Sequence, residues 1–254
     1  MEDSLVSAVD IVQQAIASGK MTATPGVCAT HGESTITTPT KFNKGWFCME
    51  CHMEAMKKDE HERWLKSRSE TLHRIADIPR KYRGEKFLAT TEPQKAARLM
   101  VKAFRDFFVE KRTWAVLVMM GGVGTGKTLM ASELAESLIN NNSISVRYCT
   151  CKQMISEIQS SYGSENKTEE GEILRFVQYD LLILDEIDAK PDKENANILL
   201  TEVINRRYNQ DKAVAVITNQ PFDNLEKFVG SRVDDRLHEN SFICSFDWPS
   251  FRRI

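Results

Sequence analysis

The stretch Gly121-Gly122-Val123-Gly124-Thr125-Gly126-Lys127-Thr128 fits G-x-x-x-x-G-K-[ST] and commits the chain around it to a strand, a glycine loop and a helix. Trp114–Met120 before it is a short apolar run that reads as a buried parallel strand. Leu129 to Ile139 after it carries apolar residues at helical spacing, with neither Gly nor Pro. Glycines let backbone N–H groups curl around phosphate oxygens, and the helix N-terminus adds partial positive charge. In this arrangement Lys127 reaches the β- and γ-phosphates and the Thr128 hydroxyl faces Mg2+, with Gly121 through Leu129 forming the nucleotide-contacting stretch. A dinucleotide fingerprint does not fit. Counted from Gly122, G-x-G-x-x-G needs glycine at position 127, which is lysine.

With 254 residues there is room for one α/β domain and a smaller module. A formal charge of −2 argues against a uniformly basic coat for nucleic acid and leaves only local patches. No apolar run reaches the length of about 18 residues that a membrane span needs. The acidic start, Met1 to Ser4, lacks the basic beginning of a signal peptide. The cysteines cluster unevenly rather than forming a disulfide framework, so a reducing, cytoplasmic setting is expected.

Residues 4–17 read as a short amphipathic helix with Leu5, Val9, Val12 and Ile16 on one face. It suits either packing on its own domain or a partner. Cys28 and His31 then form one close pair, and Cys48 and Cys51 a second. Each pair can hold one side of a tetrahedral ion, and three thiolates with one imidazole make a closed, structural zinc set. The Thr-, Ser-, Pro- and Gly-containing stretch between them reads as a loop too poor in aliphatics to build a core unaided, which a metal would remedy. His52 adjoins Cys51, where simultaneous chelation is awkward, and Trp46 and Phe47 are expected to pack against the site. A charged helix follows over Glu54–Ser69, most simply a solvated face. Residues 78–84 break the helical pattern. The expected division is therefore a small, helical, zinc-binding module over 1–70, a linker over 71–92 and an ATPase domain over 93–254.

Within that last domain, a helix over Pro93–Phe108 precedes the first strand. Ser145–Cys149 reads as a strand, Gln153–Gln159 as a helix, and residues 160–171 as a polar loop. Asp180 to Asp188 is an apolar strand ending in acids, at the edge where parallel sheets bind ligands. Asp185 is the candidate Mg2+ holder with Thr128, and Glu186 the residue that polarises the attacking water; Asp188 is expected to be exposed and without chemistry. A helix over Glu194–Tyr208 leads to the buried strand 213–217, which ends in Thr218-Asn219, and Asn219 can orient that water. Arg232 and Arg236 lie four apart on one helix face. Either a local salt bridge or a neighbouring subunit's nucleotide would suit them. Residues 241–246 form the last strand, with eight residues after it.

In this order the signals resemble an AAA+ ATPase core, and within AAA+ the DnaC-type replicative helicase loaders; IstB-type insertion-sequence ATPases share much of the core. The resemblance covers residues 78–254, from Ile78-Pro79-Arg80-Lys81-Tyr82-Arg83 to Trp248-Pro249-Ser250-Phe251-Arg252. It implies an α/β fold with a parallel five-stranded sheet and no C-terminal lid domain. It also implies ATP as substrate with Mg2+, Asn219 as sensor 1, Arg236 as the trans arginine finger with Arg232 as a second candidate, and Arg252 as the sensor 2 arginine. The partners it implies are a hexameric replicative helicase, single-stranded DNA and further copies of the chain, without a membrane. Two other readings share the core: a transposition helper of the IstB type, and a zinc-bearing scaffold switched by ATP.

Overall fold

The computed structural model describes residues 8–39, 47–164, 166–189 and 193–252. The chain divides between Arg68 and Ser69 into two compact units.

The N-terminal unit begins with helix α1 (Ala8–Ala17); residues 4–7 of the expected helix lie outside the described residues. Strands β1 (Met21–Cys28), β2 (Gly32–Pro39) and β3 (Phe47–Cys48) form an antiparallel sheet in that order. Here the structure corrects the sequence expectation of a loop in a small helical module. Thr22, Thr24, Thr35, Thr37 and Thr38 are β-branched, and such residues favour the pleated conformation without contributing aliphatic bulk. Pro25 is tolerated because β1 is an edge strand. The turn of the hairpin, where Cys28 pairs with Gly32 at φ 70°, carries the first pair of candidate metal ligands. Cys48 ends β3, and helix α2 (Met49–Ala76) carries Cys51.

α2 outruns its expected end at Ser69, and the stretch expected to be a linker is part of the second unit's core. Leu72, Ala76, Ile78 and Phe87 are all buried there. A short 3-10 turn at Arg80–Tyr82 follows. Helix α3 (Glu92–Lys111) then starts at Thr91, whose N–H donates to Gln94 Oε1 at 3.2 Å, closing a capping box.

The central sheet holds β4 (Val116–Gly121), β5 (Val146–Thr150), β6 (Leu181–Asp185), β7 (Ala213–Thr218) and β8 (Ser241–Phe246). All are parallel, in the order β5-β6-β7-β4-β8, which bears out the five-stranded parallel sheet. β6 and β7 are buried at every position because both faces are covered. The two-residue period divides their side chains. Leu117, Met119, Ile183, Ala215 and Ile217 pack with α3 and with α4 (Lys127–Asn142). Val116, Val118, Leu182, Leu184 and Val216 pack on the other face with α5 (Cys151–Gln159), α6 (Glu169–Gln178) and α7 (Lys193–Asn209), followed by α8 (Glu226–Val229) and α9 (Ser231–His238). α6 begins inside the stretch expected to be loop, because the Thr168 hydroxyl caps it by accepting from Gly171 N at 3.1 Å.

Arg207 of α7 is wholly buried in this unit. Its guanidinium donates to the carbonyls of Phe176 at 2.7 Å, Tyr179 at 2.9 Å and Asp180 at 3.2 Å, and also to that of Ala213. It thereby caps the end of α6 and ties it to the start of β7. Removing it orphans several buried carbonyls at once, each worth about 1–3 kcal/mol. Arg207→Met is therefore expected to lower the unfolding free energy by about 3 kcal/mol or more in urea denaturation.

Candidate nucleotide site and metal site

The glycine loop leaves the end of β4 and enters α4. Gly124 and Gly126 adopt φ of 80° and 94°, a region side chains avoid. A Cβ on Gly124 would run into the Ser250 hydroxyl, and one on Gly126 would lie 2.7 Å from the Phe87 ring. The C-terminal segment after β8 straps this loop from outside. Trp248 Nε1 donates to Thr125 O, and Phe251 N to Gly124 O, both at 2.9 Å. These two bonds satisfy the carbonyls on the outer side of the loop.

Lys127 is 7 % exposed. Its ammonium donates to Gly121 O at 2.6 Å, Gly122 O at 2.7 Å and Asn219 Oδ1 at 2.9 Å. Burial pulls its pKa down, while the charges of Asp185 and Asp188 oppose that fall. Thr128 Oγ1 donates to Asp185 Oδ2 at 2.9 Å, and the Glu186 amide donates to Asp185 Oδ1 at 2.8 Å. Two hard oxygen donors this close, one hydroxyl and one carboxylate, fit the chemistry of Mg2+. Glu186 itself is exposed, with φ at 52°.

A cleft of about 340 Å³ gathers Val123 to Leu129, Asp185, Glu186, Asn219 and Arg252. Three loops that the sequence separates by dozens of residues thus meet at one place. Arg236 does not line it. This side chain stacks its guanidinium 4.7 Å from the Tyr208 ring centroid, and Arg232 is exposed on the same helix.

Sequence reasoning missed several contributors. Lys81, Tyr82 and Phe251 also line the cleft. The first two fall in the expected linker, which gave them no role. Asp188 is half-buried rather than exposed, one of its oxygens having no partner among the described residues. Tyr148 of β5 is buried and its hydroxyl donates to Asp185. Burial and the Asp185 charge push its phenol well above the ordinary range, so it remains a donor. A tyrosine in a covered strand needs an acceptor, which was the available signal. A larger groove of about 710 Å³ between α3 and α4 contains none of the glycine loop.

In the N-terminal unit, Cys28, His31, Cys48 and Cys51 place their ligand atoms within 4.8 Å of one another. His31 Nδ1 lies 3.3 Å from Cys51 Sγ, 3.7 Å from Cys48 Sγ and 3.8 Å from Cys28 Sγ. Metal–sulfur bonds of about 2.3 Å in a tetrahedron require edges of roughly this length. His31 Nε2 meets Glu54 Oε1 at 3.2 Å, the outer-shell carboxylate that fixes a ligating imidazole. His31 hydrogen bonds, with help from the Thr30 amide, draw the Cys28 thiol down to about 6, and its contacts with Cys28 and Glu54 raise His31 to about 9. His52 is not in this cluster; Trp46 lies outside the described residues.

Residues 32–252 match the family described as "IstB-like ATP binding protein". A replicative helicase loader DnaC from Buchnera aphidicola subsp. Baizongia pistaciae is 30% identical over 144 residues, covering 56% of this chain and 58% of that one. The chain spans just over half the length of the curated loaders it matches. A crystal structure of the DnaC helicase loader superposes with a TM-score of 0.56 at 18% identity, over 66% of this chain and 99% of that one. The replication initiator DnaA bound to AMPPCP and single-stranded DNA gives 0.57 at 20%, over 68% and 52%. At these identities the structural likeness establishes the fold alone, an α/β core built on a five-stranded parallel sheet.

The loop geometry yields a direct test. Gly124→Ala combines a left-handed φ with a clash against Ser250. It is expected to abolish saturable binding of a fluorescent ATP analogue while circular dichroism stays that of the parent.

Proposed function

The chain belongs to the IstB-like ATP-binding protein family, and we propose that it is an assembling ATPase that loads a replicative DNA helicase onto single-stranded DNA at a replication origin. The observation that carries this reading is the meeting of Lys127, Thr128, Asp185 and Asn219 in one cleft. ATP is the substrate, hydrolysed weakly until copies assemble. The Lys127 ammonium exchanges its carbonyl partners for phosphate oxygens. Thr128 and Asp185 hold Mg2+, which when bound neutralises charge across the β- and γ-phosphates. Glu186 polarises the attacking water, and Asn219, already bonded to Lys127, orients it. Arg252 adds positive charge beside the phosphates, in keeping with its electrostatic influence on Lys127. With little covalent work for the protein to do, the gain in rate comes from positioning and charge.

Arg236 acts in trans. Its absence from its own cleft agrees with work on a neighbour's nucleotide, for which it must leave the Tyr208 ring. Zinc is the ion of the N-terminal cluster, because three thiolates and one imidazole at tetrahedral spacing suit that metal in a structural role. Residues 1–68 form the module that grips the hexameric helicase, and the second unit, from Ser69 onward, carries the ATPase. The setting is the cytoplasm of a bacterial or phage-infected cell; among the described residues no helix is long and apolar enough to cross a membrane. The likeness of the core to proteins titled as DnaC loaders supports the choice of helicase loading.

The family match itself favours a second reading, a transposition helper of the IstB type. Capture of a hexameric replicative helicase by the full chain in ATP supports loading. Binding of duplex DNA with no helicase capture supports transposition.

Lys127→Ala is expected to lose nucleotide binding in equilibrium titration. Arg236→Ala is expected to bind like the parent but to lose assembly-dependent hydrolysis by about 10³-fold; unchanged turnover rejects the finger assignment. Purified protein is expected to carry about one zinc per chain, and a strong chelator to raise amide exchange across residues 21–51 while ATP titration stays unchanged.

A further inference from the structure

Tyr148 holds the carboxylate on which the divalent ion depends. β5 runs beside β6 in parallel, with Tyr148 opposite Ile183 and Thr150 opposite Asp185. Tyr148 and Ile183 pack into the same core cluster, on the α3 and α4 face. Asp185, two residues beyond Ile183, projects to that face as well. The phenol therefore points along the neighbouring strand toward its acidic end. Its hydroxyl donates to Asp185 Oδ2, the oxygen that also accepts from Thr128 at 2.9 Å, while Oδ1 accepts the Glu186 amide at 2.8 Å. The two oxygens of the acid are thus held from three elements: β5, α4 and the turn after β6.

These donors differ in what a metal does to them. Thr128 is itself a ligand in the nucleotide-site reading on which this inference rests, so it must turn its lone pairs to the ion. The Glu186 amide sits at the head of an exposed turn. Tyr148 is 6 % exposed and has no coordinating task, so it stays where it is. We propose that Tyr148 is a positioning residue that preorganises Asp185 for the divalent cation, and that it sets how strongly nucleotide binding depends on that cation. A carboxylate already fixed in one rotamer loses no freedom when the ion arrives, and outer-shell donors of this kind commonly change metal affinity by about tenfold or more. A tyrosine serving only to fill the core would make any available hydrogen bond; this one is spent on the single acid that ends β6.

The test is equilibrium binding of a fluorescent ATP analogue to the full chain, titrated with Mg2+ and repeated in EDTA. The proteins compared are the parent, Tyr148→Phe, Tyr148→Met and Asp185→Ala. Phe removes one hydroxyl and keeps the ring, and Met keeps much of the volume without it; either one, if folded by circular dichroism, decides the matter. Expected for both is unchanged affinity in EDTA, a Mg2+ midpoint raised about tenfold, and full recovery at high Mg2+. Asp185→Ala is expected to lose the Mg2+ dependence. An unshifted midpoint in the folded variants overturns the proposal, and so does an equal fall in affinity with and without Mg2+, the mark of a packing role. A parent protein that binds no nucleotide overturns the underlying site reading and this inference together, and that result is visible before any variant is compared.

Discussion

An ammonium group taken out of water must be surrounded by oxygen, and Lys127 meets that demand from two strand ends at once. Gly121 O and Gly122 O lie at the exit of β4, and Asn219 Oδ1 just past β7. β4 and β7 are adjacent in the sheet, with Met120 opposite Thr218, so this cage exists only for this strand order. β8 lies on the other side of β4, with Gly121 opposite Phe246. The glycine loop is thus bounded by Asn219 on one flank and by the C-terminal segment on the other.

That second flank has its own physical logic. A phosphate-binding loop must turn its N–H groups inward, so its carbonyls need partners outside. Trp248 and Phe251 supply two of them. Phe87 completes the support: its ring packs against Phe246, Trp248 and Phe251 at centroid distances of 6.4, 6.0 and 6.1 Å. Contacts of this kind contribute about 0.5–1.5 kcal/mol each beyond the area they bury. The stretch preceding α3 and the end of the chain therefore brace the same loop, although more than 150 residues lie between them in sequence.

Much of this was legible beforehand because the signals are local. A glycine loop between a strand and a helix, an apolar strand closing on Asp185-Glu186, and Thr218-Asn219 each announce themselves within ten residues. The paired Cys and His residues were equally plain, and the structure brings all four together. What escaped depends on distant neighbours. Ile78 and Phe87 look like linker because their flanks are polar and broken by Pro79 and Gly84, yet the sheet offers them a face to cover. The hairpin from Met21 to Pro39 was hidden because threonine favours strands without giving the aliphatic alternation that marks them. Tyr148 gained its meaning only from the strand placed beside it. Arg236 stands apart, stacked on the Tyr208 ring and outside the cleft of its own chain.

The most direct measurement of the central claim is a crystal structure of the full chain with a non-hydrolysable ATP analogue and Mn2+, the ion located by its anomalous signal. The account predicts a triphosphate curled inside residues 121–128 with its γ-phosphate between Lys127 and Asn219, and the ion about 2.1 Å from Thr128 Oγ1 with Asp185 directly behind it or one water away. A nucleotide seated in the groove between α3 and α4, or an ion remote from Thr128 and Asp185, would contradict it.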